Sequence, residues 1–149
     1  MTNLTFHTIT APAITGPATD PVERFYQAVE QGRTIDPATF TDDVVFDATV
    51  PGWRYHKHGA RPVAQELGRW FADPGRFEEM RRTPLPNGEL VEFTLSWHEH
   101  GVPHACHQAH VVEFAADDRR IARLTAWCGG RWPAQLLAEM AEADNTAGE

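Results

Sequence analysis

Apolar positions in this chain follow two periods, and the change from one to the other marks its elements. After Asp20-Pro21, an N-cap residue with proline at the first helical position, Val22, Phe25, Tyr26 and Val29 recur at helical spacing until Gly32 ends the pattern. Asp36-Pro37 opens a short helical turn that runs to Phe40. Residues 44–50 are rich in β-branched side chains and predict a strand closed by Pro51-Gly52. Residues 53–58 fit either a short strand or an ordered loop. Helical spacing returns over 60–73, with Val63, Leu67, Trp70 and Phe71 on one stripe and Asp73-Pro74-Gly75 as the stop. The period then drops to two. Strands are predicted near 76–83, 89–99, 103–115 and 120–128, separated by Pro86-Asn87-Gly88, Glu99-His100-Gly101 and Asp117-Asp118, which suggest hairpins. A last helix is predicted over 133–143.

Helices followed by long strands joined by short turns give an α+β domain. The expected architecture is a strongly curved antiparallel sheet wrapped over the N-terminal helices, a cone whose open mouth leads to an apolar pocket. Phe25, Val29, Val63, Leu67, Phe71, Phe93, Leu95 and Leu124 are the expected core. A single domain over 20–143 is expected, preceded by a flexible arm at 1–19 (with Phe6 and Ile9 able to dock) and followed by a frayed tail at 144–149.

Composition narrows the partners. A chain of 149 residues suits one well-cored domain. With 13 basic against 21 acidic residues, a net charge of −8 and no basic run, nucleic acid and anionic membrane are poor partners. Two cysteines, Cys106 and Cys128, cannot form a secreted-type disulfide framework. No apolar stretch reaches membrane-spanning length and no signal peptide is evident, so the expected location is the cytoplasm.

The chemistry concentrates in His104-Ala-Cys-His-Gln-Ala-His110. Alternation along a strand sends His104, Cys106, Gln108 and His110 to one face and His107, Ala109 and Val111 to the other. Such a polar row is expensive to bury without partners, which favours a pocket lining. His110 reads either as an acid–base group titrating near neutrality or as a buried neutral histidine held by a neighbour. Gln108 would orient a substrate carbonyl, and Cys106 is either an apolar filler or a nucleophile. On the preceding strand Trp97 serves as pocket aromatic or core, and Glu99 as rim acid or solvated charge. Arg54, Tyr55, His56 and His58 form either an exposed turn or a mouth able to hold a planar or anionic ligand. Asp47 would hold a histidine in its working tautomer if strand alternation aims it inward. In Trp127-Cys-Gly-Gly-Arg-Trp132, Arg131 would clamp a carboxylate, stack on a ring or bond a helix end. Metal is not expected, because strand neighbours two apart lie nearly 7 Å apart, about twice the strand rise, too wide for one ion.

Several local motifs in this order resemble the nuclear transport factor 2-like superfamily, within it the SnoaL-like polyketide cyclases and ketosteroid isomerases. They are Phe40-Thr-Asp-Asp-Val-Val45, His58-Gly-Ala60, Phe93-Thr-Leu-Ser-Trp97 and Ile121-Ala-Arg-Leu124. The resemblance implies a cystatin-like α+β barrel, often a homodimer packed through the outer sheet face, here carrying Thr94, Val111 and Trp127. Catalytic residues of ketosteroid isomerases transfer poorly. Their helix tyrosine falls on Phe25 with Tyr26 one step round, their general base on Ala48 beside Asp47, and their second acid on His110. The Arg and two Asp of limonene-epoxide hydrolases fall on Phe93, Leu95 and Ala126. Scytalone dehydratase is similar in placing two polar residues at the positions of Cys106 and Gln108 and an Arg-Trp pair at Arg131-Trp132.

Residues and resemblance together predict a small cofactor-independent enzyme acting on an apolar oxygenated molecule by cyclisation, isomerisation or dehydration. His110, Asp47 and His58 are its candidate acid–base groups. Tyr26, Arg54, His56, Trp97, Glu99, Cys106 and Gln108 are its candidate substrate contacts. A non-catalytic ligand-binding or dimerisation module is the alternative.

Overall fold

The structure, a computed structural model, describes residues 20–147. In chain order it comprises α1 (Pro21–Gln31), a 3-10 turn (Pro37–Thr39), β1 (Phe40–Val50), β2 (Trp53–His58), α2 (Ala60–Trp70), β3 (Gly75–Leu85), β4 (Gly88–Glu99), β5 (Val102–Phe114), β6 (Ile121–Cys128), β7 (Trp132–Pro133) and α3 (Ala134–Ala147). Expectations for residues 1–19, Phe6 and Ile9 included, and for 148 and 149 lie outside the described residues.

Local chemistry sets the helix ends. Pro21 opens α1, and Gly32 closes it in the left-handed conformation at φ 60°. A Cβ on Gly32 would stand 2.5 Å from Pro74 N, so glycine is required there twice over. Asp20 makes no capping bond; its carboxylate instead accepts from Arg119 Nε at 3.0 Å. The second Asp-Pro pair does cap, with Asp36 Oδ1 accepting from the Ala38 N–H at 2.9 Å. α3 runs to Ala147, so residues 144–147 are helical rather than frayed.

The sheet runs β2-β1-β6-β5-β4-β3, with β7 added beside β5. The β4–β5 turn holds His100 at φ 50° and Gly101 at φ 79°, the doubly left-handed geometry that suits the twist of a two-residue hairpin. Residues 53–58 form a full strand, β2, paired along its length with β1. One expectation needs correction. The sheet is mixed, because β1 and β6 run parallel while every other pair is antiparallel. After α2 the chain starts again at the far edge, in β3, and zigzags back through β4 and β5. β6 therefore reaches β1 pointing the same way.

One sheet face closes over α1 and α2 as an α+β cone. Phe46 and Ala48 of β1, Val91 and Phe93 of β4, Val112 of β5 and Leu124 of β6 face inward and are fully buried against Val22, Val29, Val63 and Leu67. All eight residues expected in the core are buried. Among the described residues no helix is long and apolar enough to cross a membrane.

Candidate active site

A cavity of about 630 Å³ opens at one end of the cone, within the usual range for small-molecule sites. Aromatic rings of Tyr55, Trp70, Phe71 and Trp97 share its walls with the charged side chains of Glu66, Arg69, Asp73, Glu99 and Arg131. Trp70 of α2 meets Tyr55 of β2 and Phe46 edge-on, each at 5.4 Å between ring centres, and Phe71 and Leu95 extend the apolar lining. Gln108 and Cys106 of β5 form a polar floor.

Charge gathers at the mouth. Trp97 Nε1–H donates to Glu99 Oε1 at 2.9 Å, and Arg131 pairs with the same carboxylate while lying 5.8 Å over the Trp97 ring. His104 also stacks on Trp97 and stands 3.7 Å from Glu99. Gly130, at φ 123°, makes the turn that brings Arg131 to this position, a conformation side chains rarely adopt. Arg131 is thus a rim group held by Glu99.

Behind the floor lies a buried hydrogen-bonded chain. His110 is 0% exposed, enclosed by Phe25, Tyr26 and Phe93, with the Phe93 ring centre 4.9 Å away. Its Nε2 stands 2.8 Å from Gln108 Oε1, which only accepts, so Nε2 carries the proton. Nδ1 must then accept, and the Tyr26 hydroxyl, 2.9 Å away, donates to it. Gln108 Nε2 in turn donates to Cys106 Sγ at 3.3 Å. The amide is fixed in orientation and keeps one N–H for the cavity. Burial pulls the His110 pKa down to about 3, so the ring is neutral at ordinary pH. Burial also pushes the Tyr26 hydroxyl well above its usual value, reinforced by the nearby Glu89 carboxylate.

Of the residues expected at the site, the cavity brings together Trp97, Glu99, Cys106 and Gln108. Tyr26 and His110 sit behind it and line none of it. Asp47, Arg54, His56 and His58 lie on the opposite face of the sheet. The pairings Asp47 with His56 and Val45 with His58 place these side chains outward, while Ala48 and Tyr55 point in. There Asp47 accepts two bonds from Arg54, at 2.9 and 2.7 Å, and the guanidinium holds its carboxyl below the usual range. The inward position beside it is alanine.

Two of the several cavity residues that escaped the sequence reading bear on the chemistry of the site. Glu66 is only 6% exposed, lines the wall, and has Arg69 Nη1 as its partner at 3.2 Å. Its signal was present: Val63, Glu66, Leu67 and Trp70 fall at i, i+3, i+4 and i+7, so a carboxylate occupies the inward stripe of α2. Cys128, directly across from Gln108 in the β5–β6 register, is the other. Nothing local announces that pairing. Among the described residues no three metal-ligating side chains converge.

No protein-family model matches the chain, and no curated protein matches it. Solved structures do. A cystatin-like protein from Silicibacter pomeroyi is 18% identical with a TM-score of 0.56, over 87% of this chain and 85% of that one. A steroid delta-isomerase from Pseudomonas aeruginosa is 15% identical with a TM-score of 0.54, over 86% of this chain and 90% of that one. An NTF-2-like protein of unknown function from Burkholderia xenovorans is 19% identical with a TM-score of 0.55, over 73% of this chain and 80% of that one. Likeness at this level concerns the fold, and the chain has the nuclear transport factor 2-like, cystatin-like α+β fold.

Proposed function

We propose that this protein is a cofactor-independent enzyme that moves a proton on a small, largely apolar carbonyl compound, with isomerisation as its reaction. The observation that carries this reading is the buried Glu66 carboxylate in the wall of an aromatic cavity whose floor offers the Gln108 N–H. Glu66 takes a proton from the carbon next to the carbonyl, and the electron pair moves to the carbonyl oxygen. Gln108, its amide fixed by His110, donates to that oxygen as charge develops. Glu66 then returns the proton to a second carbon, completing the shift of a double bond. Tyr55, Trp70, Phe71 and Leu95 limit the water that reaches the charged intermediate. His110 is a positioning residue in this scheme, because a neutral ring sealed from the cavity does not exchange protons with a ligand. Cyclisation or dehydration would use the same groups.

The test is solvent-deuterium exchange into a panel of cyclic β,γ-unsaturated ketones. Glu66→Gln should slow exchange about 10²–10⁴-fold, the usual loss for a general base, with the fold intact by circular dichroism. Wild-type exchange rates in that variant would overturn the reading.

A ligand-binding module is the second reading, favoured by the burial of His110. Under it a ketone binds in the cavity, neither wild type nor Glu66→Gln exchanges deuterium, and tryptophan fluorescence reports the same affinity in both.

A further inference from the structure

Both cysteines of the chain meet at the floor of the cavity. Gln108 stands opposite Cys128 across the β5–β6 ladder, and Cys106 is the next residue on the same face of β5. Gln108 and Cys128 are therefore direct cross-strand neighbours, with Cys106 on the diagonal, all within side-chain reach. Gln108 Nε2–H donates to Cys106 Sγ at 3.3 Å, and the Cys128 thiol donates to the Gly130 carbonyl at 3.8 Å. Both cysteines line the cavity, Cys106 buried and Cys128 half-buried, so Cys128 is the sulfur more open to a ligand.

The pair also divides its protons unevenly. The neighbouring Cys106 lowers the Cys128 thiol below the ordinary cysteine value, while Cys128 and burial push Cys106 up. A cysteine with a lowered pKa, partly exposed in a ligand-sized cavity, is the setting in which cysteine reacts.

We propose that Cys128, backed by Cys106, is a nucleophile in the cavity floor that adds to α,β-unsaturated carbonyl compounds, with Gln108 holding the carbonyl oxygen. The Cys128 thiolate attacks the β-carbon and forms a C–S bond. The double-bond electrons move through the α-carbon to the carbonyl oxygen, where the Gln108 N–H receives the charge. The α-carbon takes the Cys106 S–H proton, so the negative charge passes from one sulfur to the other, and solvent at the mouth reprotonates Cys106. No electron is gained or lost overall, and no co-reactant is needed. The site shares Gln108 with the proposed function and makes no use of Glu66, which keeps the two separable.

The experiment treats the full chain with 2-cyclohexen-1-one and follows the intact mass, with iodoacetamide as a probe that needs no carbonyl donor. One adduct per chain is expected, mapping to Cys128 and absent in Cys128→Ser. Its rate should rise with pH around a midpoint below the ordinary thiol value of about 8.5. Cys106→Ala should move that midpoint toward the ordinary thiol value of about 8.5 and slow addition at neutral pH about tenfold, with near-ultraviolet circular dichroism confirming the fold. Gln108→Leu should slow cyclohexenone addition and leave iodoacetamide alkylation of Cys128 unchanged, which a merely structural Gln108 would not do. Glu66→Gln should label at the wild-type rate, so lost proton exchange with retained labelling separates the two proposals. An adduct on Cys106, a Cys128 no faster than free cysteine at the same pH, or equal slowing of both probes by Gln108→Leu would overturn the inference.

Discussion

Acid titration probes the buried hydrogen-bonded chain behind the cavity, because His110 is the one member whose charge changes in an accessible range. In the unfolded chain its imidazole titrates near 6.5; in the folded protein burial holds it at about 3. Between those values the unfolded state binds a proton that the folded state refuses, so stability falls as pH falls and is regained as pH rises. For one such group the loss between about pH 7 and pH 5 comes to about 2 kcal/mol. That is a sizeable share of the margin of about 5–15 kcal/mol typical of a domain. Urea unfolding followed by tryptophan fluorescence across this range gives the slope for the wild type, which also contains contributions from other groups. His110→Gln keeps a side chain able to bond the Tyr26 hydroxyl and removes the titration, so the difference between the two slopes isolates His110. The variant should lose about 2 kcal/mol less on acidification. Parallel curves for the two proteins, or a His110 nuclear magnetic resonance signal that titrates near 6.5, would refute the reasoning.

Three further outcomes follow from the geometry. Arg82 joins Glu23 of α1 to the buried Glu89 of β4, so Arg82→Ala leaves a buried carboxylate unpaired and should cost about 3–5 kcal/mol in urea unfolding. Asp47→Asn removes an ion pair on the outer face, so deuterium exchange should be unchanged and unfolding shifted by at most about 1 kcal/mol; loss of exchange would return Asp47 to the active site. Trp127 is 48% exposed on the outer sheet face, and if two copies pair there, light scattering should give a dimer mass that Trp127→Glu halves, whereas a wild-type monomer at micromolar concentration would rule the pairing out.

Most of the element order was legible in the sequence because it is set by local physics. Asp20-Pro21 and Gly32 bracket α1, His100-Gly101 makes its left-handed turn, and strand alternation separates His110 from His107 whatever the rest of the chain does. The same alternation put Ala48 and Asp47 on opposite faces of β1 but left open which of them points inward. Pairing with β2 settled that question by turning Asp47 outward to Arg54. Other features depended on contacts between residues far apart in sequence. The parallel β1–β6 pair, the meeting of Cys128 with Gln108 and the placement of Glu66 in the cavity wall all required knowing which elements adjoin. His110 shows the division most plainly. Its side of β5 was fixed by period alone, but whether that side opened to a ligand depended on how α1 lies across the sheet. Phe25 and Tyr26 cover the ring, and the helix that carries them seals it, leaving Gln108, one step along the strand, to face the cavity.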